Sequence, residues 1–287
     1  MSDTQALLEQ ASQLLKQLEA LLPAGATEPD WTAIAYRWRG QARGGRLEGI
    51  THPQVVELDN LLGIERQKAE LERNTRQFLA GLPANNALLW GARGTGKSSV
   101  VKALLHKYAE QGLRVIEVDR HDLVALPQIV GPLHGRSEHY LLFCDDLSFE
   151  ADDPGYKALK ASLDGSLATA PDNVLIYATS NRRHLLPEYN HENQQAQSMG
   201  GEIHHGEAVE EKISLSDRFG LWLAFHPFSQ DQYLAIAAQY LDRLAGLKMN
   251  NAARKAALQW ALARGSRSGR VALQFARDWA GRKRLDQ

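Results

Sequence analysis

Gly91-Ala92-Arg93-Gly94-Thr95-Gly96-Lys97-Ser98, continued by Ser99, is a complete phosphate-binding loop set between an apolar run at 87–90 and a stretch of helical periodicity. Its glycines let the backbone turn tightly, so that successive N–H groups point inward at phosphate oxygens, and the helix that follows adds its positive end. Lys97 is placed to reach the β- and γ-phosphate oxygens, and the Ser98 hydroxyl to hold Mg2+. The expected ligand is a nucleoside triphosphate with Mg2+. A glycine-rich turn with no ligand would not need Lys-Ser directly after its last glycine.

Outward from the loop, strand-like and helix-like segments alternate from Leu58 onward. Short apolar runs at 87–90, 114–118, 140–144, 173–178 and 221–225 are separated by helical patterns at 65–79, 97–110, 122–130 and 156–168. Runs that are apolar throughout belong to strands buried on both faces, and the alternation belongs to a parallel sheet covered by helices. The expected fold is α/β with a five-stranded parallel sheet. From Ser229 the chain reads all helical, at 231–244, 251–263 and 269–279. Near the N-terminus, Leu7, Ala11, Leu14, Leu18 and Leu21 predict an amphipathic helix over 4–22, ended by Pro23 and Gly25. The division expected is an N-terminal helical segment over 1–50, an α/β nucleotide-binding unit over 51–228 and a helical unit over 229–287.

The 287 residues are 44% hydrophobic and 23% charged with a formal net charge of −1, so no global field draws the chain to nucleic acid or an anionic membrane. Cys144, the single cysteine, excludes an intramolecular disulfide. No apolar run approaches the roughly 20 residues of a membrane span, and the first residues lack a charged-then-apolar signal, so a cytoplasmic location is expected.

Triphosphate hydrolysis needs a metal, a group that activates water and a positive charge for the transition state. Leu141-Leu142-Phe143-Cys144-Asp145-Asp146 is an apolar strand ending in two carboxylates. A parallel sheet delivers such residues to its C-terminal edge, beside the loop. Asp145 is placed to hold Mg2+ through water, together with Ser98, and Asp146 to face the γ-phosphate as general base.

This order of motifs, with Thr179-Ser180-Asn181-Arg182 after an apolar strand and Asp217-Arg218-Phe219 before the last one, resembles the AAA+ superfamily of P-loop ATPases. Within it, Asp145-Asp146-Leu147-Ser148-Phe149 and Ser214-Leu215-Ser216-Asp217-Arg218-Phe219-Gly220 resemble an uncharacterised bacterial family of single-domain ATPases, domain of unknown function 815. The resemblance covers Leu58 to the C-terminus. It implies that the helical unit is a lid and that Asn181 positions the attacking water. It also implies that Arg218 is a finger reaching a neighbouring subunit's site, where such a residue is worth about 10³ to 10⁵ in rate. Arg270 matches the lid arginine on the γ-phosphate, with Arg267 the alternative. Leu62, Gly63 and Ile64 match the segment lining the adenine pocket. ATP, a homo-oligomer and a protein or protein–nucleic-acid partner to be remodelled are implied likewise; the alternative is a loader that clamps DNA or RNA in an ATP-dependent way with little turnover of its own.

One departure stands out: most of the superfamily carries glutamate where this chain has Asp146. The base then falls short of the water by about 1 Å, a misplacement that costs on the order of 10² in rate unless the site is built around the shorter acid. Trp38 among Arg37, Arg39, Arg43 and Arg46 has the aromatic and cationic mix of a single-strand nucleic-acid surface. Packing of the tryptophan onto the ATPase body is the favoured reading. The polar stretch 187–212, with His191, His204 and His205, lacks metal-ligand spacing and reads as a contact loop. Val130-Gly131-Pro132-Leu133-His134-Gly135 lacks the aromatic of a substrate-threading loop.

Overall fold

A computed structural model describes residues 29–41, 44–149, 153–164, 171–183, 185 and 215–285. In chain order its elements are β1 (Ala35–Gln41), β2 (Gly44–Gly49), α1 (Glu65–Leu79), β3 (Ala87–Gly91), α2 (Lys97–Tyr108), β4 (Leu113–Glu117), the short α3 (Leu126–Val130), β5 (His139–Cys144), α4 (Pro154–Asp164), β6 (Val174–Ser180), β7 (Leu221–Phe225), α5 (Gln230–Ala245), α6 (Asn251–Ala263) and α7 (Gly269–Leu285). The helix expected over 4–22 and the stretch 187–212 lie outside the described residues.

The strands form one sheet in the order β2-β1-β4-β5-β6-β3-β7, parallel throughout except for the antiparallel edge strand β2. Successive residues point to opposite faces, and both faces are apolar. Leu88, Ile116, Leu142 and Ala178 pack into one cluster, while Ala87, Leu89, Leu141, Phe143 and Tyr177 pack into the other. Because β3, β5 and β6 are parallel, their C-terminal ends emerge along one edge. That edge carries the phosphate loop, Asp145-Asp146 and Asn181.

The α/β architecture with a mainly parallel sheet is as the sequence predicts, but the sheet has seven strands instead of five. The difference lies in residues 35–49, expected within a helical segment. They form the hairpin β1–β2, which extends the sheet beyond β4. Buried Tyr36 and Trp38 alternate with Arg37 and Arg39, the period of a strand. The arginines disguise that alternation as a basic patch. Each is paired: Arg37 Nε lies 2.8 Å from Glu117 and Arg39 Nε 2.8 Å from Glu48.

The C-terminal helices α5, α6 and α7 pack against one another. A capping box between Ser229 and Gln232 opens α5, Gly246 in the left-handed conformation closes it, and the Asn250 side chain caps α6. Buried Ala237, Ala257, Ala272 and Ala276 let the helices approach closely, and Tyr233 donates from its hydroxyl to the Ala257 carbonyl at 3.1 Å. Among the described residues no helix is long and apolar enough to cross a membrane.

Candidate functional site

The loop leaves β3 at Gly91, whose φ of +127° turns the chain out of the sheet. A Cβ placed there would lie 2.1 Å from the Phe225 carbonyl oxygen, so only glycine lets the loop pass β7 this closely. Ala92 N–H donates to that same oxygen at 3.0 Å. Gly96, with φ +102°, caps the start of α2. Lys97 is 7% exposed and folds back over the loop. Its ammonium donates to the Gly91 and Ala92 carbonyls, both at 2.8 Å, and to Asn181 Oδ1 at 3.3 Å. Burial depresses the Lys97 pKa, while Asp146 and Asp145 pull it back toward its ordinary value. Anionic phosphate is the ligand that such a desolvated cation favours.

The two carboxylates converge on the loop through a residue that carries no role in the sequence reading. Asp145 Oδ1 accepts from the Ser98 hydroxyl at 2.6 Å and from the Thr179 hydroxyl at 2.6 Å. The Thr179 hydroxyl also accepts the Asp146 N–H at 2.8 Å, and the Thr179 carbonyl accepts the Leu147 N–H at 2.7 Å. Thr179 is 1% exposed near the end of β6, the strand lying between β3 and β5. It therefore fixes the turn that carries both aspartates. Ser98 and Asp145 supply hard oxygen donors at the head of α2. Such donors suit Mg2+, which takes one or two protein oxygens and completes its octahedron with phosphate and water.

Asp146 is the one non-glycine residue with positive φ, +54°, among the described residues. Aspartate enters the left-handed region several-fold more readily than most residues. The shorter acid thus belongs to a backbone that a glutamate would adopt at higher cost. Both oxygens of Asp146 have neighbours: the Asn181 amide donates to Oδ1, and the Arg93 guanidinium lies 3.9 Å from Oδ2.

The helical unit meets the loop directly. Gly269 N–H, at the start of α7, donates to the Gly94 carbonyl at 2.8 Å. A Cβ on Gly94 would lie 3.0 Å from Ser268 Cβ and 3.4 Å from Arg270 Cβ. A cleft of about 730 Å³ opens between loop residues Ala92, Arg93 and Thr95 and helical-unit residues that include Leu262 and Arg267. Both lid-arginine candidates therefore border the loop. Gly63 abuts Phe228 and Gln232, and Ile64 packs on Gly96, so 62–64 lies between loop and helical unit with Leu62 half-buried.

Arg218 is not part of this assembly. It precedes β7, whose register puts Leu221 opposite Ala87 and Phe225 opposite Gly91. At about 3.3 Å per residue β7 itself spans roughly 13 Å, and Arg218 precedes its first residue, at the end of the strand away from the loop. Its guanidinium pairs instead with Asp164, the last described residue of α4.

Trp38 is 4% exposed in the core, so it offers no ring for a base to stack on. Cys144 is fully buried and its thiol pKa is pushed up to about 12 by burial, as for an inert packing residue. A second cavity, of about 900 Å³, opens at the other edge of the sheet among Leu82, Leu126, His134, Arg136 and Val174; none of the predicted site residues lines it.

Residues 31–283 match the family described as "Protein of unknown function (DUF815)". No curated protein matches the chain. Among solved structures, a single-substitution variant of Thermotoga maritima RuvB matches with TM-score 0.52 at 17% identity, over 77% of this chain and 63% of that one. The T. maritima RuvB Holliday junction branch migration motor gives TM-score 0.50 at 18% identity over the same shares. The Aeropyrum pernix ORC1 protein in complex with DNA gives 0.54 at 18%, over 80% of this chain and 65% of that one. This chain spans less than two thirds of each neighbour, and at such identities the likeness is one of fold: the AAA+ P-loop ATPase fold.

Proposed function

Since the chain belongs to the DUF815 family and has the AAA+ fold, we propose that it is a Mg2+-dependent ATPase whose site is completed by Arg218 of a second copy and whose turnover remodels a protein partner. The observation that carries this reading is the separation of its parts. One chain brings Lys97, Ser98, Asp145, Asp146 and Asn181 to one edge of the sheet, whereas Arg218 stands at the other end of β7. On this reading an arginine at that end is placed for a neighbour's nucleotide and not for its own.

On this reading Lys97 and the loop N–H groups bind the phosphates, and Ser98 with Asp145 would hold Mg2+, which would supply neutralisation of the charge that develops on the phosphates. Asp146 takes the proton of a water oriented by Asn181. Leu62, Gly63 and Ile64 face the adenine. The direct seat of Gly269 on Gly94 supports transmission of the loop's occupancy to the helical unit, with Arg270 or Arg267 on the γ-phosphate.

ATP turnover measured against protein concentration, in wild type, Lys97→Ala and Arg218→Ala, tests the proposal. Specific activity should rise cooperatively with concentration in wild type and be lost with nucleotide binding in Lys97→Ala. In Arg218→Ala it should fall by about 10³-fold or more while binding persists. Unchanged turnover in Arg218→Ala at every concentration would sink the shared site.

A further inference from the structure

Arg93 has a position that nothing in the proposed reaction yet uses. It is the third residue of the loop, its side chain is 76% exposed, and its guanidinium lies 3.9 Å from Asp146 Oδ2. It is also near enough to Lys97 for their like charges to oppose each other. One arginine therefore stands beside the ammonium that grips phosphate and the carboxylate proposed to activate water. Asp146 Oδ1 accepts from the Asn181 amide at the same time, so Arg93 is the neighbour of the other oxygen.

From this geometry we propose that Arg93 discriminates ATP from ADP within its own subunit: its guanidinium exchanges its loose contact with Asp146 for the γ-phosphate when a triphosphate is bound. The inference rests on the reading of the loop as an ATP site. Three physical points favour the exchange. At 3.9 Å the Arg93–Asp146 contact is longer than a hydrogen bond, and with Asp146 61% exposed the pair is screened and contributes little. A terminal phosphate offers roughly two negative charges and three acceptor oxygens, which the planar fork of an arginine engages bidentately. Lys97, by contrast, is buried against the Gly91 and Ala92 carbonyls at the root of the loop, where it serves a diphosphate as well as a triphosphate. Arg93 is the loop cation whose partner changes with the γ-phosphate.

The test is calorimetric titration of wild type, Arg93→Gln and Arg93→Lys with a non-hydrolysable ATP analogue and with ADP, both with Mg2+. Arg93→Gln should bind the ATP analogue about tenfold or more weakly, as expected for loss of a charge-assisted contact, and ADP within about twofold of wild type. Arg93→Lys should fall between the two. Thermal unfolding without nucleotide should not move, since the side chain is exposed. Equal weakening for both nucleotides, or no weakening for either, overturns the proposal while leaving the ATP site intact. Failure of wild type to bind either nucleotide overturns the ATP site itself and this inference with it.

Discussion

Replacing Thr179 with valine removes one hydroxyl and leaves the volume of a fully buried side chain almost unchanged, so it isolates what that hydroxyl does. Two bonds go: the donation to Asp145 Oδ1 at 2.6 Å and the acceptance of the Asp146 N–H at 2.8 Å. Hydrogen bonds to a charged group are worth about 1.5–3 kcal/mol and neutral ones about 0.5–1.5. Asp145 is exposed and recovers part of the first from water, which leaves a net loss of about 2 kcal/mol. For a chain of this size that corresponds to a fall in Tm of about 4–8 °C. The larger effect is on chemistry. Asp146 holds a left-handed backbone, a conformation that persists only when its surroundings over-determine it. Without its N–H partner the carboxylate can move by about 1 Å, which costs on the order of 10² in turnover. Steady-state ATP hydrolysis, nucleotide binding and thermal unfolding of Thr179→Val and Thr179→Ser measure these separately. Serine should restore most of both losses, and nucleotide affinity should change far less than turnover. Thr179→Val hydrolysing ATP within about twofold of wild type, where Asp146→Asn has lost turnover, would refute the reasoning.

Two further outcomes are expected. Gly91→Ala places a Cβ 2.1 Å from the Phe225 carbonyl at a φ of +127°, so overpacking against backbone and conformational strain together should cost about 3 kcal/mol or more in chemical denaturation. Gly112→Ala, at φ +90° with nothing near its Cβ, should cost only about 1–2 kcal/mol. Equal losses would remove the close approach of loop and β7 as the cause. With alkaline pH, burial holds the Tyr36, Tyr108 and Tyr233 hydroxyls protonated, each with its pKa pushed up to about 12 from an ordinary value of 10. A raised folded-state pKa contributes stability that is intact below pH 10 and is lost as pH rises toward 12. Urea midpoints should decline across that window, and Tyr233→Phe should decline less steeply than wild type. An identical slope in both proteins would exclude Tyr233 as a contributor.

The sequence carries the fold wherever one physical rule dominates. Buried parallel strands must be apolar throughout, so 87–90, 140–144 and 221–225 announce themselves. A phosphate loop needs glycine, lysine and serine at fixed spacing, so residues 91–98 do as well. The hairpin at 35–49 escaped because two rules conflict there: Tyr36 and Trp38 follow strand alternation, but Arg37 and Arg39 stand between them, neutralised by Glu117 and Glu48 from segments that only the fold brings near. The role of Thr179 was equally hidden: it opens the motif Thr179-Ser180-Asn181-Arg182, but its bonds to the two aspartates exist only once β6 lies between β3 and β5.

Local chemistry along the chain determined that this protein has a phosphate loop, a pair of acids after a buried strand and a helical C-terminal unit. Tertiary structure decided what those groups do to one another. It laid Lys97 over its own loop, put Arg93 beside Asp146, seated Gly269 on Gly94 and left Arg218 with Asp164 beyond the far end of β7. Strand order and register, which no short stretch of sequence contains, set those distances, because a parallel sheet gathers to one edge residues that lie as much as 90 positions apart along the chain, from Gly91 to Asn181.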